Sequence, residues 1–441
     1  MLLPLSLFRS GAVIAALALT AALRHPAYGQ DAVPADIAAP ANPALSSREI
    51  QTLQNQPTAP TGAVTGEQLA ETPRRLNYGV TVSARGVYDD NVNISSFNRV
   101  SDYYIAIEPS FFIGFGGDPS EGASGLSLIY RPSVFLFVDH SENDAVQHLV
   151  RLQANHNFGR LTVALSQDVQ ILDGPDLNSI SDPTGHNANI DVGQRARHNV
   201  FTTQISDNYD LTGKLFLSNA TGLSIDDYES SFIGSKNVFV NLFLNYNYSQ
   251  KLVVGVGGTG GYNTVEQGSP DQYYEQANIR LSYAATGKLS FSTSAGAEFR
   301  QFENDTRGTY ISPVFDLSAT YKPFDGTSVN LSGSRRIQNS AVLGGQDYTS
   351  TDLHLSVSQR FLRRFTLGLA VGYNNSEYFS AIRGVQANRS DDYYYVQPAV
   401  DANITRWWTA GGYYLYRKDS SSLAFFTFDD NQFGLRSTVT F

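Results

Sequence analysis

The stretch that decides the fold is the last one, Asn431–Phe441, which reads NQFGLRSTVTF. From Phe433 onward every second residue is apolar or small, and the residues between them are polar or glycine. A β-strand places successive side chains on opposite faces, so the segment predicts a strand with one lipid-compatible face and one polar face. A terminal phenylalanine after such a strand resembles the carboxy-terminal signal of bacterial outer-membrane barrels. Phe441 is therefore the predicted barrel-assembly signal, and a surface strand of a soluble sandwich is the alternative.

The beginning of the chain favours the membrane interpretation. Arg9 precedes an apolar run, Gly11–Leu23, and a small-residue cleavage site, Ala27–Gly29. This pattern predicts a secretory signal peptide over 1–29. No later segment offers about 18 consecutive apolar residues, so no spanning helix is expected. We expect the outer membrane of a Gram-negative bacterium, with both termini in the periplasm.

Residues 30–75 differ in composition from the rest of the chain. They are rich in Ala, Pro, Thr and Gln and lack apolar periodicity. Such a composition is typical of a flexible segment, and we predict a disordered periplasmic leader.

Residues 76–441 break into runs of alternating apolar and polar residues separated by turn-forming residues. Eighteen runs fit the pattern, with sixteen as the alternative count. The connections after even-numbered runs are tight, except for 116–124, and those after odd-numbered runs are longer and polar. This alternation predicts an all-β fold, namely a transmembrane antiparallel up-and-down β-barrel.

The phase of each run assigns its side chains to lipid or lumen, because ions at bilayer depth are costly on the lipid face. A barrel of this size is too wide for side chains to fill, so its lumen holds water or a plug. The simpler interpretation of each lumen charge is that it forms an ion pair along the wall. The alternative is that it binds a solute. The predicted lumen charges are Arg85, Glu108, Arg131, Arg151, Asp168, Arg280, Glu298, Arg300, Asp316, Arg336, Arg360, Asp401 and Arg436.

Aromatic residues in lumen phase are a narrower signal, since aromatic faces stack on sugar rings. They could line a track for an oligosaccharide. They could equally pack against an inward-folded loop or the leader, or result from a phase slip at a bulge. The candidates are Phe112, Phe135, Phe239, Phe243, Tyr393, Tyr395, Trp408, Tyr414 and Tyr416.

Other classes of function find little support. No nucleophile elbow or comparable catalytic motif is present, so no catalytic residue is assigned and no enzyme is predicted. The paired aspartates at strand ends are interpreted as turn formers, with binding of divalent cations together with lipopolysaccharide at the rim as the alternative. No metal site is assigned and no cofactor is expected. The net charge of −10 argues against binding to nucleic acid, and the absence of cysteine excludes disulfides and a lipidated cysteine.

The first hairpin carries a family resemblance. Tyr88–Val92 (YDDNV), a polar loop, Asp102 and a strand containing Pro109 resemble the opening of the β-barrel porin 2 family. The resemblance implies a barrel that exports extracellular or capsular polysaccharide with a separate periplasmic export protein. The expected partners are outer-membrane lipid, lipopolysaccharide, the barrel-assembly machinery and a saccharide cargo. The alternatives are a general or sugar-selective diffusion porin, and a structural or adhesive barrel that binds through its loop 173–193.

Overall fold

The computed structural model describes residues 76–119, 123–174, 189–229, 232–267, 269–303, 308–382 and 384–441. The predicted signal peptide (1–29) and leader (30–75) lie outside the described residues, as does most of the loop after the fifth strand. No helix in the described part of the chain has the length and hydropathy that a membrane crossing needs.

Eighteen strands account for most of the described residues, and one short 3-10 turn, Ser141–Asn143, interrupts a loop. Their bounds are β1 Leu76–Asp89, β2 Asp102–Gly116, β3 Gly125–Phe137, β4 Ala145–Asn157, β5 Leu161–Gly174, β6 Ala196–Asp210, β7 Leu215–Tyr228, β8 Ser235–Asn247, β9 Leu252–Val265, β10 Gln272–Thr286, β11 Leu289–Phe302, β12 Tyr310–Tyr321, β13 Thr327–Asn339, β14 Gln346–Phe361, β15 Phe365–Ser380, β16 Ser390–Asn403, β17 Trp408–Ser421 and β18 Phe428–Thr440.

Each strand pairs antiparallel with the next one along the chain, and β1 pairs with β18, which closes the sheet into a barrel. The predicted fold class and the count of eighteen are confirmed. Connections such as 287–288 and 362–364 define a short-turn end of the barrel. Connections such as 90–101 and 340–345 lie at the opposite end, the long-loop end. The connection after β2 is the long exception at the short-turn end that the sequence indicates.

The strands alternate between a lipid face and a lumen face. On β8, Val240, Leu242 and Leu244 are exposed on the outside, whereas Asn241 and Phe243 are buried on the inside. On the terminal strand, Phe433 and Leu435 lie outside and Gln432 lies inside. An apolar exterior around a polar interior is the arrangement that a bilayer requires, because every backbone group of a closed barrel is paired.

The terminal strand completes this wall. Val439 of β18 lies opposite Val82 of β1, and the Phe441 N–H donates to the Val80 carbonyl at 2.8 Å. The apolar alternation at the end of the chain thus forms the lipid face at the closure of the barrel.

Candidate functional site

Charged side chains line the lumen and pair along the wall. Arg85 donates through Nε and Nη2 to Glu108 at 2.9 and 2.7 Å, and Arg436 donates in the same way to Asp401 at 2.8 and 2.6 Å. Arg85 and Arg436 lie directly opposite each other on β1 and β18. Like charges in that position repel, so each arginine needs its own acid on its other side.

The remaining predicted lumen charges also lie on the inner face. Arg151 is paired with Asp168 on the neighbouring strand, and Arg300 with Glu298 at 2.7 Å. Three others contact neutral partners: Arg280 reaches Asn245, Arg131 reaches Ser110, and Arg336 reaches Ser334. Asp316 is half-buried in lumen phase on β12, and Arg360 is exposed at the short-turn end.

Several predicted track aromatics lie flat on glycine. Phe239 faces Gly222, Phe243 faces Gly257, and Tyr395 faces Gly372, each directly across a strand pair. A Cβ atom on these glycines would meet the opposite ring at 2.4, 2.6 and 2.1 Å, so only glycine leaves room for the ring against the wall. This arrangement is the known rescue of a strand glycine by a cross-strand aromatic ring.

Two aromatic residues outside the predicted set follow the same rule. Tyr274 covers Gly261 and Tyr413 covers Gly434, again in direct register. These five rings are at most 9% exposed, so little of their surface is left for stacking on sugar.

The other inner aromatics pack in an apolar cluster at the long-loop end. Tyr393 is 3% exposed and contacts Tyr395 and Phe428, and Phe135 packs beside Tyr104. The cluster also contains loop residues Ile94 and Ile190, which shows that loops fold inward there. Phe112 is a buried inner-face residue nearer the short-turn end, opposite Ile129 of β3.

The sequence phase of β17 was wrong by one residue. Tyr414 contacts the exposed Phe433, and Tyr416 contacts the exposed Tyr394, so both rings lie on the lipid face. Trp408 lies opposite Val439 on that face as well. Tyr413, Leu415 and Arg417 occupy the inner face instead, where Arg417 pairs with Asp430 at 2.5 Å. Because both faces of β17 carry aromatic residues, those residues do not determine which face is inside. The charged residues Arg417 and Asp419, which lie on the inner face, were the signal that could have determined it.

One sector of the lumen face near the short-turn end, formed by β11 to β14, is lined by small polar side chains. On β11 to β14 most positions of this face are serine, many of them half-exposed. Small hydroxyl side chains keep a wall wettable and leave the centre of the lumen open. The residues are Ser290, Ser292, Ser294, Ser318, Ser332, Ser334, Ser356 and Ser358.

The long-loop end is filled by segments that fold inward. Asn189–Gly193, which leads into β6, is buried, and the Asp191 carboxylate accepts hydrogen bonds from Ser340 Oγ (2.8 Å), Ala341 N (2.6 Å) and Tyr378 Oη (2.8 Å). β6 and β15, which carries Tyr378, lie nine positions apart in a ring of eighteen strands (15 − 6), so these contacts join opposite walls.

Arg389 anchors the same segment. Its guanidinium is fully buried, donates to the carbonyls of Ile190 (2.6 Å) and Asp191 (2.8 Å), and pairs with Asp391 at 2.7 Å. It also lies 3.5 Å from the centre of the Phe426 ring. We call Asn189–Gly193, the loop 340–345 and Arg389 together the plug.

Burial controls the charges of the plug. Burial raises the pKa of the Asp191 carboxyl, because the lost hydration outweighs the opposing effect of Arg389 and the hydrogen-bond donors. Burial acts to lower the pKa of Arg389, but Tyr378, Asp391 and Asp191 outweigh it and the pKa is raised. Arg389 therefore stays charged, and removing it would leave buried carbonyls and Asp391 without their donor.

The wall itself also bends inward beside the plug. β12 and β13 pair only from Phe315 and Arg335 toward the short-turn end. Beyond that point Asn339 of β13 accepts a hydrogen bond from Asn263 of β9 at 3.2 Å, and Asp347 of β14 accepts one from Gln272 of β10 at 3.1 Å. The outer ends of β13 and β14 thus lie against the inner face of β9 to β11.

One cluster of acids lies where β1 meets β18. Carboxylate oxygens of Asp89, Asp90 and Asp430 lie within 4.8 Å of one another. Arg417 pairs with Asp430, and Arg99 pairs with Asp90 at 3.0 Å, so guanidinium groups supply most of the compensating charge.

Sequence reasoning missed Asp191 and Arg389 of the plug, and Asp347 of β14 beside it. Asp191 and Arg389 lie in loops, where no alternation marks an inward side chain. Asp347 is in lipid phase on β14 and is buried only because the strand folds inward.

No protein-family model and no curated protein matches this chain. Solved structures that align with most of the chain include the following three. Pseudomonas aeruginosa OpdK with vanillate is 9% identical, with 83% of this chain and 99% of that chain covered and a TM-score of 0.41. Acinetobacter baumannii OccAB4 is 8% identical, with 82% and 98% covered and a TM-score of 0.42. Pseudomonas aeruginosa OccK2 (OpdF) is 10% identical, with 82% and 98% covered and a TM-score of 0.43.

Identities and TM-scores this low carry no conclusion about the activity of this chain, whose fold is established by its own strand pairing. The resemblance to the β-barrel porin 2 family stays a prediction. The chain forms a closed eighteen-stranded antiparallel β-barrel with an apolar exterior and a polar lumen.

Proposed function

We propose that this protein is an outer-membrane channel for small polar solutes, whose long-loop end is held closed by the plug. The observation that carries the proposal is the contrast between the two ends of the lumen. Small hydroxyl side chains line the short-turn end, whereas buried, hydrogen-bonded segments occupy the long-loop end. A wall of the first kind suits the diffusion of hydrated solutes, and segments of the second kind suit regulated access.

The sugar track, which was one of two grounds for the export hypothesis beside the family resemblance, loses its support. Phe239, Phe243 and Tyr395 lie over glycines, and Tyr414 and Tyr416 lie on the lipid face. A growing polysaccharide would also need a continuous wide passage, which the plug interrupts. A diffusion channel needs neither an aromatic track nor a passage that stays open.

A structural or adhesive surface barrel is the second candidate. The observation that favours it is the size of the polar network in the plug, which joins opposite walls and makes the barrel rigid. A scaffold would stay closed under all conditions, whereas a gated channel conducts once the plug is released.

Swelling of proteoliposomes separates these candidates. We expect slow uptake of arabinose by the wild-type protein and fast uptake by the variant Arg389→Gln, with long oligosaccharides excluded from both. Arg406→Gln, which changes an exposed arginine at the short-turn end, is the matched control. Absence of arabinose uptake by a correctly folded Arg389→Gln barrel would favour the scaffold, and uptake of long oligosaccharides would restore export.

A further inference from the structure

The wall has a gap in its hydrogen bonding between β12 and β13. The last residues paired across it are Phe315 and Arg335, although β12 continues to Tyr310 and β13 continues to Asn339. Extending the same register would place Ser312 opposite Gln338 and Ile311 opposite Asn339. In the described residues, Ser312 and Ile311 pair only with β11, and Gln338 and Asn339 pair only with β14.

At the outer ends of β13 and β14, side chains in lipid phase lie inside the lumen. In the lower half of these strands, Leu331, Leu353 and Leu355 face lipid. Asn339 and Asp347 have the same phase, yet they lie inside against β9 and β10. The β13–β14 hairpin therefore turns into the lumen as a unit. Its tip, 340–345, contacts Asn189–Gly193 there and forms part of the plug.

The polar side chains of Asn339 and Asp347 are compatible with an inward and with an outward position of this hairpin. A strand end that stayed on the lipid face at bilayer depth would carry apolar residues at Asn339 and Asp347. The inward contacts of these two residues are hydrogen bonds of an amide and a carboxylate, with Arg300 3.7 Å from Asp347, while the tip adds the apolar packing of Ala341 beside Val192. Pairing with β12 would add backbone hydrogen bonds that offset the polar contacts given up.

The edge of β12 tolerates the loss of its partner while the hairpin is inside. Pro313 lies in the free stretch and has no N–H that could be left without a partner. Tyr310 stacks on Phe379 of β15 with the ring centres 4.2 Å apart, which bridges the gap while the hairpin is inside.

We propose that the outer parts of β13 and β14 form the gate of this channel. In the closed state the hairpin lies in the lumen against β9 to β11 and supports the plug. In the open state it rejoins β12 in the existing register, which completes the wall and clears the long-loop end. The proposal rests on the proposed channel function and identifies the element that moves.

Because the chain contains no cysteine, introduced pairs test this directly. Ser312→Cys with Gln338→Cys should form a disulfide only when the hairpin joins β12, since opposite residues of paired strands have the Cα spacing that a disulfide needs. Asn263→Cys with Asn339→Cys, bridged by a short thiol cross-linker, should hold the hairpin inside. Thr320→Cys with Asn330→Cys lies across the paired half of the same strands and is the matched control.

Linkage is read by mass spectrometry of the joined peptides, and channel activity by conductance in planar bilayers. We expect the Ser312–Gln338 pair to link in the folded barrel and to raise mean conductance at least about tenfold, a shift of about 1.4 kcal/mol in the gate. A reductant should reverse the rise. The bridged Asn263–Asn339 pair should lower conductance, and the control should link without effect.

Two results would overturn the gate. One is failure of the Ser312–Gln338 pair to link under conditions in which Thr320–Asn330 links, whatever the conductance. The other is linkage with no rise in conductance while Arg389→Gln still conducts, which would leave the channel standing without this gate. Silence of both the linked barrel and Arg389→Gln would instead contradict the proposed channel function.

Discussion

At the scale of single residues, the glycine–aromatic pairs hold the large inner side chains against the wall. Gly434 shows this most simply, since the three atoms nearest to a Cβ there all belong to Tyr413, the nearest at 2.2 Å. Aromatic residues in lumen phase are thus explained by the packing of neighbouring strands. The sequence contains both members of each pair, but the strand register that brings them together has to be known first.

A double-mutant cycle tests this packing. Gly434→Ala should destabilise the barrel by about 1–3 kcal/mol through overpacking. In a Tyr413→Leu background the same change should cost much less, with a coupling of about 0.5–3 kcal/mol. The measurement is the free energy of unfolding in urea of the barrel refolded into lipid vesicles.

The Tyr413 hydroxyl also accepts a hydrogen bond from Arg85 at 3.1 Å. Tyr413→Phe separates that contribution from the packing of the ring. Additive effects of Gly434→Ala and Tyr413→Leu would contradict the pairing.

The corrected phase of β17 gives a second prediction for single residues. A fluorescent bimane group on Tyr414→Cys should be quenched by brominated lipids, because Tyr414 lies on the lipid face beside Phe433. The same label on Ser358→Cys, in lumen phase on β14, should be quenched far less. Equal quenching at the two positions would return Tyr414 to the lumen.

At the scale of elements, the strands were predictable and the inward-folded pieces were not. Alternation located the strands because the requirement for one apolar and one polar face acts on every residue of a strand. β17 was assigned the wrong phase because aromatic residues occupy both of its faces, which removes that contrast. The fold of Asn189–Gly193 and of the β13–β14 hairpin depends on contacts between distant strands, such as those of Asp191 with Ser340 and Arg389.

Arg389 should control the order of the plug. In Arg389→Gln the carbonyls of Ile190 and Asp191 lose their charged donor, and we expect destabilisation of the plug by about 3–5 kcal/mol. Hydrogen exchange of the amides in Asn189–Gly193 should therefore become much faster, while exchange in the paired half of β13 stays unchanged. Arg406→Gln is the control, and unchanged protection of Asn189–Gly193 in Arg389→Gln would show that other contacts hold the plug.

At the scale of the whole molecule, the sequence predicted the barrel but not whether its lumen is open or closed. Length, alternation and loop parity determine a closed sheet with a polar interior, and the thirteen charges predicted for the lumen follow from the same rule, because ions are excluded from the lipid face. Whether that interior is open depends on loops and on the outer ends of strands. There the energetic preference between lumen, lipid and solvent is small, so the pattern of residues carries little information.

The central claim is that the barrel is a channel held closed by the plug. Single-channel recording of the wild-type protein and Arg389→Gln in planar bilayers tests it most directly. The account predicts a wild-type barrel that is closed most of the time, and frequent long openings in Arg389→Gln, with Arg406→Gln like wild type. Equal conductance of all three proteins, whether open or silent, would contradict it.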